Sequence, residues 1–202
     1  MKTTGQPLRG VIFDMDGVLC DSEPLICAAA REMFRRRHGV EVLPEDFLPF
    51  VGAGENRYLG GVAEKHGVRL DLEADKALTY EIYLELIRGH LEPLPGVRRF
   101  VERCRRAGLK LAVATSTDRV KMEGSLREIG LPAATFDATV NGLDIERKKP
   151  HPDIFLLAAR LLGEPPQRCL VVEDAPNGVA AAKAAGSPCL GLTTSFDAET
   201  LR

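Results

Sequence analysis

Val11-Ile12-Phe13-Asp14-Met15-Asp16-Gly17 passes from three β-prone apolar residues to two acids and a glycine. The same abrupt change follows Leu109-Lys110-Leu111-Ala112-Val113-Ala114, which stops at Thr115-Ser116-Thr117-Asp118, and Cys169-Leu170-Val171-Val172, which stops at Glu173-Asp174. Near-continuous apolar runs of this length suit parallel strands buried on both faces. Shorter strands are read at Ala138-Thr139-Val140 and Cys189-Leu190-Gly191-Leu192. Helical patterns lie between them at 97–107, 119–129, 154–162 and 179–185, closed by Gly108, Gly130, Gly163 and Gly186 where a helix C-terminus favours glycine. Strand alternating with helix predicts an α/β fold built on a doubly wound parallel sheet, whose ligands sit beyond the carboxyl ends of the strands.

Residues 20–92 break that alternation with helix after helix and no convincing buried strand. They read as an all-helical insertion, a cap on a core made of 1–19 and 93–202. Ser22 is placed to cap a first helix with Pro24 in its first turn, running to His38-Gly39 and burying Leu25, Ile26, Ala29, Met33 and Phe34. Further helices are expected over 44–50, 56–65 and 73–88, and Leu91-Glu92-Pro93-Leu94-Pro95-Gly96 reads as the return linker.

A formal net charge of −2 provides no field to gather nucleic acid or an anionic membrane. The five cysteines are scattered, without a CxxC pair, and are expected to be free thiols. Met1–Gly10 lacks the apolar stretch of a signal peptide, and no apolar run approaches the ~20 residues of a membrane span. A cytoplasmic protein is expected, monomeric or weakly self-associating.

The polar strand ends carry the chemistry. Asp14, Asp16, Glu173 and Asp174 would gather at one sheet edge, and such a cluster repels itself unless a cation sits in it. Hard oxygen donors with no His or Cys beside them favour Mg²⁺. Lys149, before the 154–162 helix, could offset charge on a phosphoryl group; Thr115 offers a hydroxyl, and the N–H groups after it an anion nest. A carboxylate nucleophile, a second acid two residues on, a hydroxyl, a lysine and a metal-binding acid together meet the needs of phosphoryl transfer through an aspartyl-phosphate.

In this combination the chain resembles the haloacid dehalogenase superfamily. Its four motifs stand in order as Phe13-Asp14-Met15-Asp16-Gly17-Val18-Leu19-Cys20-Asp21-Ser22-Glu23, Val113-Ala114-Thr115-Ser116-Thr117, Lys149-Pro150-His151-Pro152-Asp153-Ile154-Phe155 and Val172-Glu173-Asp174-Ala175-Pro176-Asn177-Gly178. The resemblance implies a Rossmann-like core, and the helical insertion is similar to the small cap of the phosphoglycolate-phosphatase and β-phosphoglucomutase branch. The stretch 49–63 also resembles the phosphatase-like domain of the plant suppressor-of-quenching family. By resemblance, Asp14 attacks phosphorus, and Asp16 protonates the leaving alkoxide and then deprotonates water. Mg²⁺ is held by the Asp14 carboxylate, the Asp16 carbonyl and Asp174, with Glu173 beside it, while Thr115, the Ser116 amide and Lys149 grip the phosphoryl oxygens. Relatives usually continue through another helix and short strand beyond Arg202. In this branch the cap is a lid, with Cys20 and Pro93–Pro95 as candidate hinges. Gly52 to Arg57 is then the candidate specificity loop, with Glu55, Asn56 and Arg57 as substrate contacts.

The expected activity is therefore Mg²⁺-dependent hydrolysis of a small phosphorylated metabolite. A phosphosugar mutase is the alternative; that branch typically has a His in the first cap helix where this chain has Ile26. A phosphoacceptor signalling module would share the clustered acids, hydroxyl and lysine, but the DxDG spacing and the helical insertion count against it.

Overall fold

Five strands, β1 (Gly10–Phe13), β2 (Lys110–Ala114), β3 (Ala138–Val140), β4 (Cys169–Glu173) and β5 (Cys189–Gly191), pair in parallel in the order β3-β2-β1-β4-β5 in the computed structural model, which describes residues 7–202. The seven α-helices of the described residues are α1 (Glu23–Met33), α2 (Glu55–His66), α3 (Leu72–Leu86), α4 (Val97–Arg106), α5 (Arg119–Glu128), α6 (Asp153–Leu162) and α7 (Pro176–Ala185). β1 is central, with Ile12 in register with Ala112 on one side and Val171 on the other. Both faces are covered, as the apolar runs require. Val11, Phe13, Leu111 and Val113 pack with Val101 and Cys104 of α4 and Met122 and Leu126 of α5. Ile12, Ala112, Ala114 and Val171 pack with Ile154, Phe155 and Ala158 of α6 and Ala181, Ala182 and Ala185 of α7. Each fully buried large side chain contributes roughly 1.5–3 kcal/mol, so these two layers hold the strand ends in place.

The four helices of the α/β half end where glycine was expected, with Gly163 and Gly186 in the left-handed conformation at the ends of α6 and α7. α7 starts earlier than its apolar pattern suggests, because Pro176 lacks the N–H that a first helical turn leaves unbonded anyway.

Between β1 and α4 the described chain adds no strand to the sheet, and its apolar side chains join the cluster that covers one sheet face. The first helix of this layer departs from expectation: α1 stops at Met33 and the chain continues as one π-helical turn, Phe34–His38, before Gly39. The wider turn accompanies two demands, since Phe34 stays buried against Phe47 while the adjacent Arg37 and His38 both reach the buried Asp75, at 2.6 and 3.1 Å. Ile26, Ala29, Met33 and Phe34 are buried as expected, and Leu25 only half so. Residues 44–50 are two 3-10 turns rather than a helix, each with a proline, Pro44 or Pro49, that removes an N–H from any longer ladder. The insertion leaves and returns at one point: Cys20 bridges to Pro93, and the Leu94 N–H donates to the Leu19 carbonyl at 2.9 Å. All five cysteines are free, and no described helix is long and apolar enough to cross a membrane.

Candidate active site

Asp14 follows directly on β1, and its N–H donates to the Val172 carbonyl at 3.0 Å, so the β1–β4 ladder runs one residue past the strand and fixes where the carboxylate emerges. Lys149 comes in from the loop before α6 and places its ammonium 2.5 Å from Asp14 Oδ1 and 2.6 Å from Glu173 Oε1. All three side chains are buried. Glu173 is bound on its other side as well, where its Oε2 accepts the Asp174 and Ala175 N–H groups, both at 2.8 Å, at the start of α7. A carboxylate at a helix N-terminus is stabilised by the unbonded amides there, so Glu173 is locked at both oxygens. A Cβ on Gly178 would overlap the Glu173 carboxylate, which is why glycine stands at that position in the first turn.

Asp174 accepts a hydrogen bond from Ser195, and the backbone at Gly17, with φ of 74°, passes so close that any Cβ there would overlap the Asp174 carboxylate. Thr194 donates its hydroxyl to the Gly17 carbonyl at 2.5 Å, so the chain after β5 folds back over the first motif. Burial pushes Asp14 up to about 8 against the pull of Lys149, and the charges of Glu173 and Asp174 add to it. Asp174 is pushed up to about 6, chiefly by burial, with the Ser195 hydrogen bond opposing. Burial works against the charge on Lys149, yet Asp14 and Glu173 hold it above the ordinary lysine range. Three crowded carboxylates thus share one ammonium, and the site is short of positive charge.

Asp16 keeps its side chain 31% exposed; Ser22 Oγ donates to its Oδ1, and the Lys121 ammonium lies 2.7 Å from its Oδ2. Ser22 does sit at the N-cap of α1 as expected, but its hydroxyl serves Asp16 and not the helix amides. Thr115, at the end of β2, is buried, and its Oγ1 accepts the Thr117 N–H at 3.3 Å. The Ser116 hydroxyl is buried without a partner, an open donor beside Thr115. The Ser116 carbonyl lies so close to Gly142 that a Cβ there would overlap it, and Lys148 donates to the Gly142 carbonyl.

From the helical layer, Glu55 reaches the same edge. It is buried, accepts the Thr117 hydroxyl at one oxygen and leaves the other unpartnered, as is the hydroxyl of Tyr80. Burial raises Glu55, and pushes Glu23 up to about 7 although the Tyr58 hydroxyl donates to it at 2.7 Å. Of the other loop residues, Asn56 is exposed and accepts from Lys76 at 3.0 Å, which also pairs with Asp118 at 2.6 Å. Gly52 is exposed with nothing near it, and Arg57 turns along its own helix to Glu64 and over the Phe50 ring. The structure therefore brings Asp14, Asp16, Thr115, Ser116, Lys149, Glu173, Asp174 and Glu55 to one sheet edge, leaves Gly52 exposed, and engages Asn56 and Arg57 elsewhere, with Lys76 and Glu64. Lys121 and Ser195 were not anticipated: a lysine in the first turn of a polar helix and a serine near the end of the sequence carry no local signal of a buried partner.

The family model for haloacid dehalogenase-like hydrolases matches residues 8–186. Over 201 residues the chain is 44% identical to Protein SUPPRESSOR OF QUENCHING 1, chloroplastic, of Arabidopsis thaliana, covering 96% of this chain but only 19% of that protein's length. It is 32% identical to hexitol phosphatase A of Escherichia coli, covering 96% of this chain and 87% of that one. The crystal structure of CbbY from Rhodobacter sphaeroides in complex with phosphate superposes with a TM-score of 0.84 at 29% identity, over 94% of this chain and 89% of that one.

Proposed function

This chain belongs to the haloacid dehalogenase-like hydrolase family, and on that premise we propose that it hydrolyses a small sugar phosphate through a phosphorylated Asp14. The observation that carries the reading is Lys149, buried between Asp14 and Glu173 at 2.5 and 2.6 Å. A locked cation next to a nucleophilic carboxylate is what a phosphoryl group needs to be held in line for attack. Asp14 attacks phosphorus, and the bond from phosphorus to the ester oxygen breaks as Asp16 gives that oxygen its proton. Asp16 then takes a proton from water; the hydroxide attacks phosphorus, the bond to Asp14 breaks, and phosphate leaves with Asp14 restored. Thr115, Ser116 and Lys149 hold the phosphoryl oxygens in both steps.

The shortage of positive charge at Asp14, Glu173 and Asp174 fits a divalent cation. Among the described residues no group of three or more His, Cys, Asp or Glu forms a ready metal cage. Two carboxylates plus water and phosphoryl oxygens is, however, the habit of Mg²⁺ at phosphate sites. Asp14, Asp174 and the Asp16 carbonyl would hold it, with Glu173 kept as the anchor of Lys149 in the outer shell. When bound, Mg²⁺ supplies charge that neutralises the phosphoryl oxygens.

Residues 20–92 act as a cap on a core of 1–19 and 93–202, hinged where Cys20 meets Pro93. Glu55 and the Tyr80 hydroxyl that lies against it are buried polar groups without a well-aligned hydrogen bond between them, and hydroxyls of a sugar leaving group would satisfy them. Ile26 is buried and apolar where a mutase would carry its imidazole, which supports hydrolysis over phosphoryl exchange. The test is phosphate release from a panel of phosphorylated metabolites with Mg²⁺, including β-glucose 1-phosphate coupled to glucose 6-phosphate detection. Turnover of a few sugar esters, abolished in Asp14→Asn, supports the reading. Folded protein that releases no more phosphate than Asp14→Asn overturns it.

A further inference from the structure

Lys121 is a buried ammonium that the chemistry above does not use. We propose that it is a positioning residue for Asp16, holding that carboxyl in the stance from which it gives a proton to the leaving oxygen. The inference rests on the phosphatase reading and concerns its general acid. Asp16 is held at two points, by Ser22 at Oδ1 and by Lys121 at 2.7 Å from Oδ2. The exposures order the pair: the Asp16 side chain is 31% exposed and that of Lys121 4%, so the carboxylate is the member of the pair open to solvent. Lys121 acts on substrate through Asp16.

Lys121 is itself aligned from the helical layer. Its ammonium lies 5.8 Å from the centre of the Tyr83 ring of α3; the Tyr83 hydroxyl is 2.7 Å from Ser125 Oγ, and Ser125 Oγ donates to the Lys121 carbonyl at 2.8 Å. Gly124 allows this approach, because a Cβ there would overlap Leu84 of α3. Asp16 is therefore set by core and helical layer together. Fixing a catalytic group before substrate arrives removes an orientation cost from the barrier.

A positioning role and a mere latch between the two layers differ in their dependence on the leaving group. An alkoxide needs the proton of Asp16, whereas p-nitrophenolate leaves without one. The experiment compares Lys121→Met, Lys121→Arg and wild type on a sugar phosphate and on p-nitrophenyl phosphate, using kcat/KM, which reports steps up to phosphorylation of Asp14. General acid catalysis contributes about 10²–10⁴-fold, so Lys121→Met should lose roughly 100-fold on the sugar ester and less than about 10-fold on the aryl ester. Loss of Asp16 as base should also make p-nitrophenol appear in a burst before a slow steady state. Lys121→Arg, which keeps the charge behind Asp16, should recover at least about 10-fold of the sugar-ester loss. Lys121→Gln replaces the Met variant if that one shows no cooperative melt. Equal losses on the two esters, or no loss on either, overturn the role of Lys121 and leave the phosphatase standing. Wild type that turns over neither overturns both.

Discussion

Gly178→Ala is expected to destabilise this protein, against the ordinary rule for a glycine inside a helix. Replacing glycine with alanine in a helix normally stabilises by up to about 1 kcal/mol. Here the new methyl lands on the Glu173 carboxylate, which is not a free side-chain end. To make room, Glu173 must give up the Lys149 ammonium at 2.6 Å and the Asp174 and Ala175 amides at 2.8 Å. Hydrogen bonds to a charged group are worth about 1.5–3 kcal/mol each, and partial relaxation keeps some of them, so a net loss of about 3 kcal/mol is expected. For a chain of this size that lowers Tm by roughly 6–12 °C. Activity should fall with it, since Lys149 loses the anchor that aims it at Asp14. Gly60, inside α2 with nothing within 4 Å of a built Cβ, is the control: Gly60→Ala should be neutral or stabilise by up to about 1 kcal/mol. Both variants are measured by urea unfolding and by kcat/KM. A Gly178→Ala protein as stable and as active as Gly60→Ala would refute the claim that Glu173 is locked.

Lys149→Met leaves Asp14 and Glu173 buried without their cation, which should cost about 3–5 kcal/mol in urea unfolding and abolish phosphate release; unchanged stability at pH 7 would show that the pair is not an ion pair. Glu23, raised by burial from 4.5 to about 7, binds its proton more tightly when folded, so its contribution is complete below pH 4.5 and lost as pH rises through about 7. Glu23→Gln should therefore match wild type near pH 4 and exceed it by roughly 3 kcal/mol at pH 8, and a pH-independent difference would contradict this. Chelation should abolish phosphate release, and Mg²⁺ at about 100 times its Kd should stabilise wild type by about 2.7 kcal/mol but Asp174→Asn by much less, read as Tm against Mg²⁺ concentration.

The sheet was legible because strands buried on both faces write themselves as apolar runs that stop at the edge, as at Phe13-Asp14, Ala114-Thr115 and Val172-Glu173. The residues proposed to meet phosphate stand at those stops, so the heart of the candidate site could be read with the fold. What stayed hidden is pairing across distance. Glu173 reads as one more acid, and only the folded chain shows both its oxygens taken by Lys149 and the α7 amides. Lys121 looks like a solvated helix residue until Tyr83 and Asp16 close around it. Residues 34–38 and 44–50 gave helical patterns too, but Asp75 and two prolines decided their turns, and neither a buried acid thirty-odd residues away nor proline spacing is visible in a periodicity.

The crossing of Leu19-Cys20 with Pro93-Leu94 makes the intervening segment a loop tied off at its base. Closing such a loop costs little more as it lengthens, because the entropy of joining two ends grows only with the logarithm of the chain between them. Insertions, deletions or wholesale exchange above the knot therefore leave β1 and β2 where they are. The segment can thus change above its base while the sheet edge that carries Asp14 stays in place, provided the contacts of Ser22 and Tyr83 around Asp16 and Lys121 are kept.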